Sequence, residues 1–387
     1  MKIAILTSGV MPVPAVKGGA VENLIDLYLA YNEQHKLHDI TVYSVADQAV
    51  KRHPAFLSAV NHYRYINPFT LWAKVMKALH PRRHRYYNPS IEYYLRHALR
   101  HIRQQHYDII IVENRPGYIL KLRAVTDVPC VLHLHNDTLN ATSKEADNIV
   151  KGYDKIICVS DYITRRVPDS SGKSITVYNA IDVRHFTDAQ PLSRQTLGLT
   201  SDDFVIVYSG RLTPEKGILE LIEAIKLTAC RKHIKLLVVG ARFYGNDTSR
   251  SPFTEQLEAA CESIKEQVIF TGFIAYQQIP SYLKMADLAV VPSRWEEPFG
   301  LTVVEAMAAG LPLIATRSGG IPELCDGIAT LVEREQLAQH LATAIDELYQ
   351  DPAKRKEMAA ASLACSCRFD KDTYAHNFFA VLNTLSR

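Results

Sequence analysis

The chain has 387 residues, of which 47% are hydrophobic and 22% are charged, and its formal net charge is +3. This composition excludes a disordered chain and a strongly basic nucleic-acid-binding protein, and the length is enough for two ordinary domains. No apolar run reaches the roughly 18 residues that a membrane-spanning helix needs. The seven scattered cysteines predict reduced thiols and a cytoplasmic location, without a metal site.

Short apolar runs predict strands throughout the first half of the chain. A helix is predicted after Gly18 and Gly19, and further helical segments separate the later strands. Strands that alternate with helices are typical of a parallel sheet covered on both faces. The predicted strands are 2–8, 40–43, 108–112, 131–135, 155–160 and 175–178.

The same pattern begins again after residues 183–200, where Asp, Pro, Ser and Thr cluster. A second open α/β sheet is therefore predicted, and the chain is expected to form an N-terminal domain over 1–183 and a second domain from 184. The strands of this second sheet are predicted at 204–208, 236–240, 268–270, 288–291 and 313–315.

Two glutamates flank a helix start in the most informative segment. Pro298 and Gly300 interrupt any earlier helix, so a helix is predicted to begin near Leu301. Its free N–H groups suit an anion or a sugar hydroxyl. Glu297 lies before the helix and Glu305 about one turn inside it, so each can hold one end of an extended ligand. The expected buried stripe of this helix is Leu301, Val304, Ala308 and Leu311.

A loop with two cations follows the first strand of the second sheet. Ligands of such sheets bind at the carboxyl ends of strands, where Gly210, Arg211 and Lys216 are expected. Arg211 can form two parallel hydrogen bonds to phosphate oxygens, and Lys216 supplies a compact charge, so the loop suits a diphosphate. A solvated loop in which Glu215 pairs with a cation is the alternative, and the two glutamates nearby favour the phosphate role.

Two weaker signals lie in the first half of the chain. Gly18 and Gly19 either form a tight turn or let backbone N–H groups approach a phosphate, and the absence of G-x-G-x-x-G argues against dinucleotide binding. His135 ends a predicted strand, where it can donate to a sugar hydroxyl or polarise a phosphate. His133 points to the same side of that strand. A packed histidine is the alternative for both, and we prefer His135 as the functional residue.

Residues 74–106 combine many cations with aromatic residues and contain a single acid, Glu92. The combination suits an anionic lipid surface or a lipid-diphosphate acceptor, and a solvated pair of helices would look similar. The cations are Lys74, Lys77, Arg82, Arg83, Arg85, Arg96, Arg100 and Arg103, and the aromatic residues are Trp72, just before the stretch, and Tyr86, Tyr87, Tyr93 and Tyr94 within it.

Residues 293–301, together with Gly-Leu-Pro at 310–312 and Gly-Gly-Ile-Pro-Glu at 319–323, resemble the E-x7-E signature of retaining glycosyltransferases of family 4. Arg211, Lys216 and Gly217 resemble the R-x4-K element of the same family, and Gly18-Gly19 its glycine loop. The resemblance implies the GT-B architecture, in which two Rossmann-like domains face each other. It assigns the acceptor to domain 1–183, the donor to 184–369, and residues 370–387 to a helix crossing back to the first domain.

The resemblance also implies roles for the donor-binding residues. Arg211, Lys216 and amides near Gly19 would stabilise charge on the leaving diphosphate, while Glu305 would accept hydrogen bonds from both ribose hydroxyls. Glu297 would hold the hydroxyls of the donor sugar. The remaining residues of the expected donor site are Gly18, Gly210, Phe299, Gly300, Leu301 and Thr302, of which 299–301 would contribute backbone amides.

The expected reaction transfers a sugar from a UDP- or GDP-sugar to a glycan or lipid-linked acceptor, in bacterial surface polysaccharide assembly. The expected catalytic set is Arg211, Lys216, Glu297 and His135, although Asn136 stands where the family often has glycine. The two cations already supply positive charge, so no metal or other cofactor is expected. The protein is expected in the cytoplasm, with peripheral contact to the inner face of the membrane.

Other functions use similar residues. A glycosidase also needs two carboxylates, placed about 5–9.5 Å apart across one bond, and the Pro/Gly break between the glutamates disfavours it. A nucleotide-sugar epimerase or a phosphorylase on the same fold stays open as an alternative, as does a non-catalytic nucleotide-sugar-binding protein.

Overall fold

Strands rich in Ile, Val and Leu form two separate parallel sheets, as the apolar runs predict. The structure, a computed structural model, describes residues 1–68, 70–71, 75, 89–240 and 252–385. The chain divides into two units, of which the first comprises Met1–Asn179 with Lys371–Arg387 and the second Ala180–Asp370. Each unit has its own sheet.

The first unit contains seven parallel strands in the order β3-β2-β1-β4-β5-β6-β7. The order reverses between β1 and β4, and such a reversal is where open α/β sheets bind ligands, outside the carboxyl ends of the strands. The strands are β1 (Lys2–Leu6), β2 (Asp39–Val45), β3 (Asn61–Ile66), β4 (Ile109–Glu113), β5 (Cys130–Leu134), β6 (Lys155–Cys158) and β7 (Ser174–Thr176).

The second unit contains six parallel strands in the order β10-β9-β8-β11-β12-β13, which reverses between β8 and β11. Its core is built from apolar side chains of both the sheet and the covering helices, including Ile206, Leu221 and Leu341. The strands are β8 (Phe204–Ser209), β9 (Ile234–Val239), β10 (Val268–Phe270), β11 (Leu288–Val291), β12 (Leu313–Thr316) and β13 (Thr330–Val332).

Helices connect successive strands in both units. Within the described residues they are α1 (Ala20–His35), α2 (Pro89–Ile102), α3 (Ile119–Leu122), α4 (Ala146–Gly152), α5 (Asp161–Arg166), α6 (Val183–Thr187), α7 (Ile218–Leu227), α8 (Pro252–Cys261), α9 (Ile279–Leu283), α10 (Leu301–Ala308), α11 (Ile321–Cys325), α12 (Leu337–Gln350), α13 (Pro352–Ser366) and α14 (Lys371–Asn383).

The C-terminal helix α14 belongs to the first unit, as the resemblance implies, and packs against α1. The rings of Tyr28 and Phe378 stack with centroids 4.4 Å apart and planes 8° apart. Phe379 meets Tyr28 edge-on, with centroids 6.1 Å apart. Because all three side chains are buried, the last helix completes the hydrophobic core of the first unit.

Two strands, β3 and β13, were not predicted from the sequence. Strand β3 lies at the edge of its sheet, and only Asn61 of its residues is buried, so it lacks the apolar run of a strand covered on both faces. Strand β13 has three residues, which is too short for a periodic pattern.

Much of the basic, aromatic stretch lies outside the described residues, including Trp72, Lys74, Lys77, Arg82, Arg83, Arg85, Tyr86 and Tyr87. The assignment of Tyr94 to a lipid-facing surface is wrong, because its side chain is buried and its hydroxyl donates to the Tyr43 carbonyl oxygen at 2.6 Å. Glu92 pairs with Lys121 at 2.5 Å.

No helix in the described part of the chain has the length and apolar character that crossing a bilayer demands.

The loop after β8 approaches the segment after β11 through a glycine. Gly217 has φ +70°, and a Cβ atom placed on it would lie 1.8 Å from the carbonyl oxygen of Pro292. No Cβ atom can lie that close to a backbone oxygen atom. The two segments therefore approach each other this closely only with glycine at position 217.

We expect Gly217→Ala to destabilise the protein by roughly 2 to 4 kcal/mol, which combines left-handed backbone strain with displacement of the Pro292 segment. Gly198→Ala is the matched control, because Gly198 also has φ +70° but has nothing within 4 Å of the added Cβ. That control should lose only about 1 kcal/mol, from backbone strain alone. Urea unfolding of both variants measures the difference, and equal losses would contradict the close-approach constraint.

Candidate active site

An ion pair joins the two strongest sequence motifs. The Lys216 ammonium lies 2.5 Å from Oε1 of Glu297, which is 81 positions further along the chain. Lys216 stands on the loop after β8, and Glu297 on the segment after β11, where the sheet order reverses. Glu215, the partner in the alternative of a solvated loop, forms no ion pair with either cation in the described part of the chain, and Lys216 pairs with Glu297 instead. The carboxyl ends of two neighbouring strands thus bring a cation and a carboxylate together.

The backbone and side chain of Glu297 are both held in place. The Ser293 hydroxyl donates to Oε1 of Glu297 at 2.7 Å, and the Gly320 amide donates to its carbonyl oxygen at 2.8 Å. A Cβ atom on Gly319, whose φ is +55°, would lie 2.1 Å from that carbonyl oxygen. The Gly-Gly element of the sequence therefore lets the loop after β12 close over Glu297.

Arg211 presents its side chain to solvent beside this pair. Its guanidinium forms no hydrogen bond or ion pair within the part of the chain that the structure describes, and its carbonyl oxygen accepts a bond from the Tyr208 hydroxyl at 2.7 Å. Gly210, with φ +154°, turns the chain between the two residues. The Tyr208 hydroxyl thus holds the loop backbone in place, while the Arg211 guanidinium is available for an anion.

Helix α10 begins at Leu301, as predicted, and its N-cap residue Gly300 supplies no side-chain cap. Val304, Ala308 and Leu311 of the predicted stripe are buried and Leu301 is partly exposed, but the burial is wider than a stripe, because residues 303–308 are all buried. The helix packs between α6 and α13, so it is covered on every side beyond its first turn. A helix in that position shows no amphipathic pattern, which is why the stripe was an incomplete description.

Glu305 is buried in α10, and burial raises its pKa to about 7. A hydrogen bond from the Tyr276 hydroxyl partly opposes that shift. Tyr276 follows β10 and was missed by the sequence analysis, because a tyrosine in a loop carries no recognisable pattern. The structure therefore holds Glu305 by a separate contact from the Lys216–Glu297 pair.

The other predicted donor residues lie around the start of α10. The ring of Phe299 packs edge-on against Phe369, with centroids 5.8 Å apart and planes at 78°. The side chain of Phe299 is thus part of the hydrophobic core, and its backbone is the part that can contact a ligand. Leu301 and Thr302 are partly exposed at the first turn.

Gly18 and Gly19 form the loop before α1 in the first unit, and Gly19 is the N-cap residue of that helix. Glu22, in the first turn, is buried, and the Ser8 hydroxyl lies 3.4 Å from its Oε1 atom. Burial raises the pKa of Glu22. The predicted phosphate loop therefore has the buried carboxyl group of Glu22 beside it. Because its pKa is raised, this group favours its uncharged form, which does not repel an anion.

His135 and His133 project from the same side of the chain, as predicted, and both contact Glu113 on the neighbouring strand β4. The His135 Nε2 and His133 Nδ1 atoms each lie 3.0 Å from Oε2 of Glu113. The Tyr28 hydroxyl donates to Oε1 at 2.9 Å. Glu113 was missed by the sequence analysis, although a carboxylate that ends an otherwise apolar strand is a recognisable signal.

Glu113, His133 and His135 are the group of potential metal ligands that the described residues contain, with ligand atoms within 4.8 Å of one another. Each of the facing nitrogens already contacts the carboxylate, which also accepts from Tyr28. Three donors satisfy the carboxylate without an ion. A metal would replace these hydrogen bonds rather than complete an unfinished set.

We expect Glu305→Gln to become increasingly stabilising as the pH rises. The folded pKa of about 7 lies above the ordinary value of 4.5, so the native protein loses stability as the pH rises between those values. The variant lacks this loss, so its advantage should grow by roughly 2 to 3 kcal/mol between about pH 5 and pH 8. Urea unfolding without ligand measures it, and Glu347→Gln, at an exposed site, is the control. A pH-independent difference would contradict burial as the cause.

Comparisons with known proteins concern the family of the chain. A family model described as glycosyl transferases group 1 matches residues 189–363. Lipopolysaccharide 1,2-N-acetylglucosaminetransferase of Salmonella typhimurium is 30% identical over 271 residues, which cover 68% of this chain and 68% of that protein. Spore coat protein SA of Bacillus subtilis is 26% identical over 381 residues, covering 94% of this chain and 93% of that one.

Solved structures share the fold of the whole chain. Anabaena Alr3699/HepE in complex with UDP has a TM-score of 0.75 at 23% identity, and covers 99% of this chain and 100% of that one. The same protein in complex with UDP-glucose has a TM-score of 0.73 at 24% identity, with coverage of 99% and 100%. Two parallel α/β sheets, the matching family model and the Salmonella relative lead to one conclusion: the chain belongs to the glycosyl transferases group 1 family and is a glycosyltransferase with the GT-B fold.

Proposed function

We propose that the protein is a retaining glycosyltransferase that moves a sugar from a nucleoside-diphosphate sugar to a glycan or lipid-linked acceptor. The observation that carries this proposal is the contact of Lys216 with Glu297 at 2.5 Å. This contact supports the proposal because Lys216 is the cation that would bind a phosphate and Glu297 the carboxylate that would bind sugar hydroxyls. In a nucleotide sugar the diphosphate is bonded directly to the sugar, so the two groups would lie side by side at Lys216 and Glu297.

The diphosphate would bind to the loop after β8. Arg211 can form two hydrogen bonds to phosphate oxygens, and the ammonium of Lys216 has donors beyond the one directed at Glu297. When the bond to the sugar breaks, negative charge grows on the departing phosphate. Fixed cations stabilise that charge without reorganising, and losing one such group typically costs about 10²–10³ in rate.

The nucleoside would be recognised by Glu305. A carboxylate can accept hydrogen bonds from both ribose hydroxyls at once, provided that it is ionised. Burial raises the pKa of Glu305 to about 7, so the unliganded protein holds it close to the point of ionisation. Binding a ribose with two donors would favour the charged form. The crystal structures of the Anabaena protein contain UDP and UDP-glucose, which supports a nucleotide sugar as the donor here.

Glu297 would bind the donor sugar together with the amides of Phe299, Gly300 and Leu301. Its carboxylate already accepts from Ser293 and pairs with Lys216, and this makes it a positioning acceptor rather than a free nucleophile. A reaction with retention would then proceed by attack on the face from which the phosphate leaves. The departing phosphate oxygen would take the proton of the acceptor hydroxyl.

The acceptor is proposed to be a glycan or a lipid-linked sugar of bacterial surface polysaccharide assembly. The Salmonella relative, lipopolysaccharide 1,2-N-acetylglucosaminetransferase, supports this setting. We also propose that the protein lies in the cytoplasm and that its basic stretch 74–106 contacts the anionic inner face of the membrane. Arg96 and Arg100 are exposed on α2, which supports a cationic face in the described part of that stretch.

The most direct experiment incubates the purified protein with UDP- and GDP-sugars, including UDP-glucose, with and without octyl glycosides as sugar acceptors. Proton NMR follows donor consumption and the new linkage. We expect one donor to be consumed in the presence of acceptor, with its anomeric configuration kept. Epimerised donor without acceptor would favour the epimerase, a requirement for inorganic phosphate the phosphorylase, and binding without turnover the non-catalytic protein. An inverted linkage would contradict retention.

We propose that no metal ion takes part, because Arg211 and Lys216 supply the positive charge that a divalent cation supplies in other transferases. Turnover of the best donor is therefore expected to be unchanged after dialysis against EDTA. The control is the same protein with added Mg²⁺ or Mn²⁺, which should give the same rate. Loss of activity in EDTA that either ion restores would overturn metal independence.

A further inference from the structure

Glu113 holds three hydrogen-bond donors at one buried carboxylate. Tyr28 Oη lies 2.9 Å from Oε1, and His133 Nδ1 and His135 Nε2 each lie 3.0 Å from Oε2. An ionised carboxylate can only accept hydrogen bonds. Each of the three partners must therefore carry the hydrogen that lies between it and Glu113, and this determines which nitrogen of each ring is protonated.

We propose that Glu113 is a positioning residue for His135: it fixes the imidazole as the Nε2–H tautomer and leaves Nδ1 to accept a hydrogen bond from a sugar hydroxyl. This inference rests on the proposed function, since it concerns the same reaction. His135 directly follows β5, at the carboxyl end of the sheet where ligands bind. Its Nδ1 atom is buried and has no hydrogen-bond partner among the described residues.

The direction of this hydrogen bond selects the chemical group that His135 can meet. A hydroxyl can donate to the Nδ1 lone pair, whereas an ionised phosphate oxygen has no hydrogen to donate. The sequence alone left open whether His135 donates to a hydroxyl or polarises a phosphate. With Nε2 occupied by Glu113, the ring is an acceptor for a hydroxyl and is unsuited to a phosphate.

Electrostatics supports the same assignment. Burial and the neighbouring His133 lower the pKa of His135 to about 4, so the ring keeps its Nδ1 lone pair at neutral pH. Burial alone would raise the pKa of Glu113, but its contacts with His133 and His135 outweigh that effect and hold the pKa below its usual value. The carboxylate thus stays ionised as an acceptor.

The last helix of the chain braces this arrangement. The ring of Phe378 stacks on Tyr28 with centroids 4.4 Å apart, and it lies 5.1 Å from the ring of His133. Both partners of Phe378 are donors to Glu113. The position of α14 in the first unit therefore restricts two of the three donors, and through Glu113 it restricts the third, His135.

The test replaces the acceptor-only group by an amide of similar shape, in Glu113→Gln. The amide nitrogen is a donor, so it opposes a ring N–H and favours a change of tautomer in at least one histidine. Long-range ¹H–¹⁵N NMR distinguishes the two tautomers, and the His135 signals are assigned by their absence in His135→Asn. We expect Nε2–H for His135 in the unmodified protein and a mixed or reversed tautomer in Glu113→Gln.

Kinetics of the same variant separates positioning from a merely structural role. With the nucleotide sugar that the unmodified protein turns over fastest, we expect Glu113→Gln to lower kcat roughly 10- to 100-fold, a loss typical of groups that orient a functional histidine. The affinity for UDP or GDP without the sugar should be unchanged, because Nδ1 meets a hydroxyl and not a phosphate. A matching loss of nucleotide affinity would overturn the sugar contact.

Tyr94→Phe is the matched control. It removes another buried tyrosine hydroxyl of the first unit, which donates to the Tyr43 carbonyl oxygen and does not contact Glu113. It should leave the tautomer and kcat unchanged. If Glu113→Gln fails to fold, Tyr28→Phe takes its place, since it removes one donor and keeps the ring that stacks on Phe378. Because the carboxylate of Glu113 still accepts from both rings in that variant, the Nε2–H tautomer of His135 is expected to persist there with a smaller loss of kcat, and an Nδ1–H tautomer would overturn the positioning role.

Turnover by the unmodified protein separates the two claims. If it is active, an Nδ1–H tautomer in it, or an unchanged tautomer and kcat in Glu113→Gln, overturns the positioning role while the proposed function stands. If it turns over none of the nucleotide sugars, the proposed function and the hydroxyl contact of His135 are overturned together.

Discussion

The contact of Lys216 with Glu297, at 2.5 Å, is the interaction on which the arrangement of the second unit depends. It requires the loops after β8, β11 and β12 to approach one another more closely than side chains allow. Gly217 lies against the carbonyl oxygen of Pro292, and Gly319 lies against that of Glu297. Small residues at these two positions thus let the sheet bring a cation and a carboxylate together at its carboxyl edge.

The first unit uses a buried carboxylate for a similar purpose. Glu113 gathers Tyr28, His133 and His135, which come from α1 and from β5 and the residue that follows it. A buried carboxylate is costly unless donors surround it, and Glu113 has three. The stacking of Phe378 on Tyr28 adds the last helix to the same arrangement. The packing of the C-terminal helix α14 is therefore linked to the orientation of the His135 ring.

The sequence predicts those features that depend on local pattern. Apolar runs identify most strands, the break at Pro298 and Gly300 identifies the start of α10, and the two-residue period puts His133 and His135 on one side. The sequence does not predict the partners of these residues, because Lys216 and Glu297 are 81 positions apart. Edge strand β3 escapes pattern analysis because it has too few buried residues. The full burial of residues 303–308 in α10 was not predicted, because a stripe pattern assumes an exposed face that these residues lack. Tyr94 was misassigned because composition alone does not show which face of α2 is buried.

The central claim is that Arg211 and Lys216 bind the diphosphate of a nucleotide. Calorimetric titration of UDP and of uridine, or of GDP and guanosine, tests it by isolating the contribution of the diphosphate to the binding free energy. We expect the diphosphate form to bind much more tightly, and Arg211→Ala and Lys216→Ala to remove most of that difference while the nucleoside binds as before. Equal affinities for nucleoside and diphosphate, or variants that keep the full difference, would contradict the assignment.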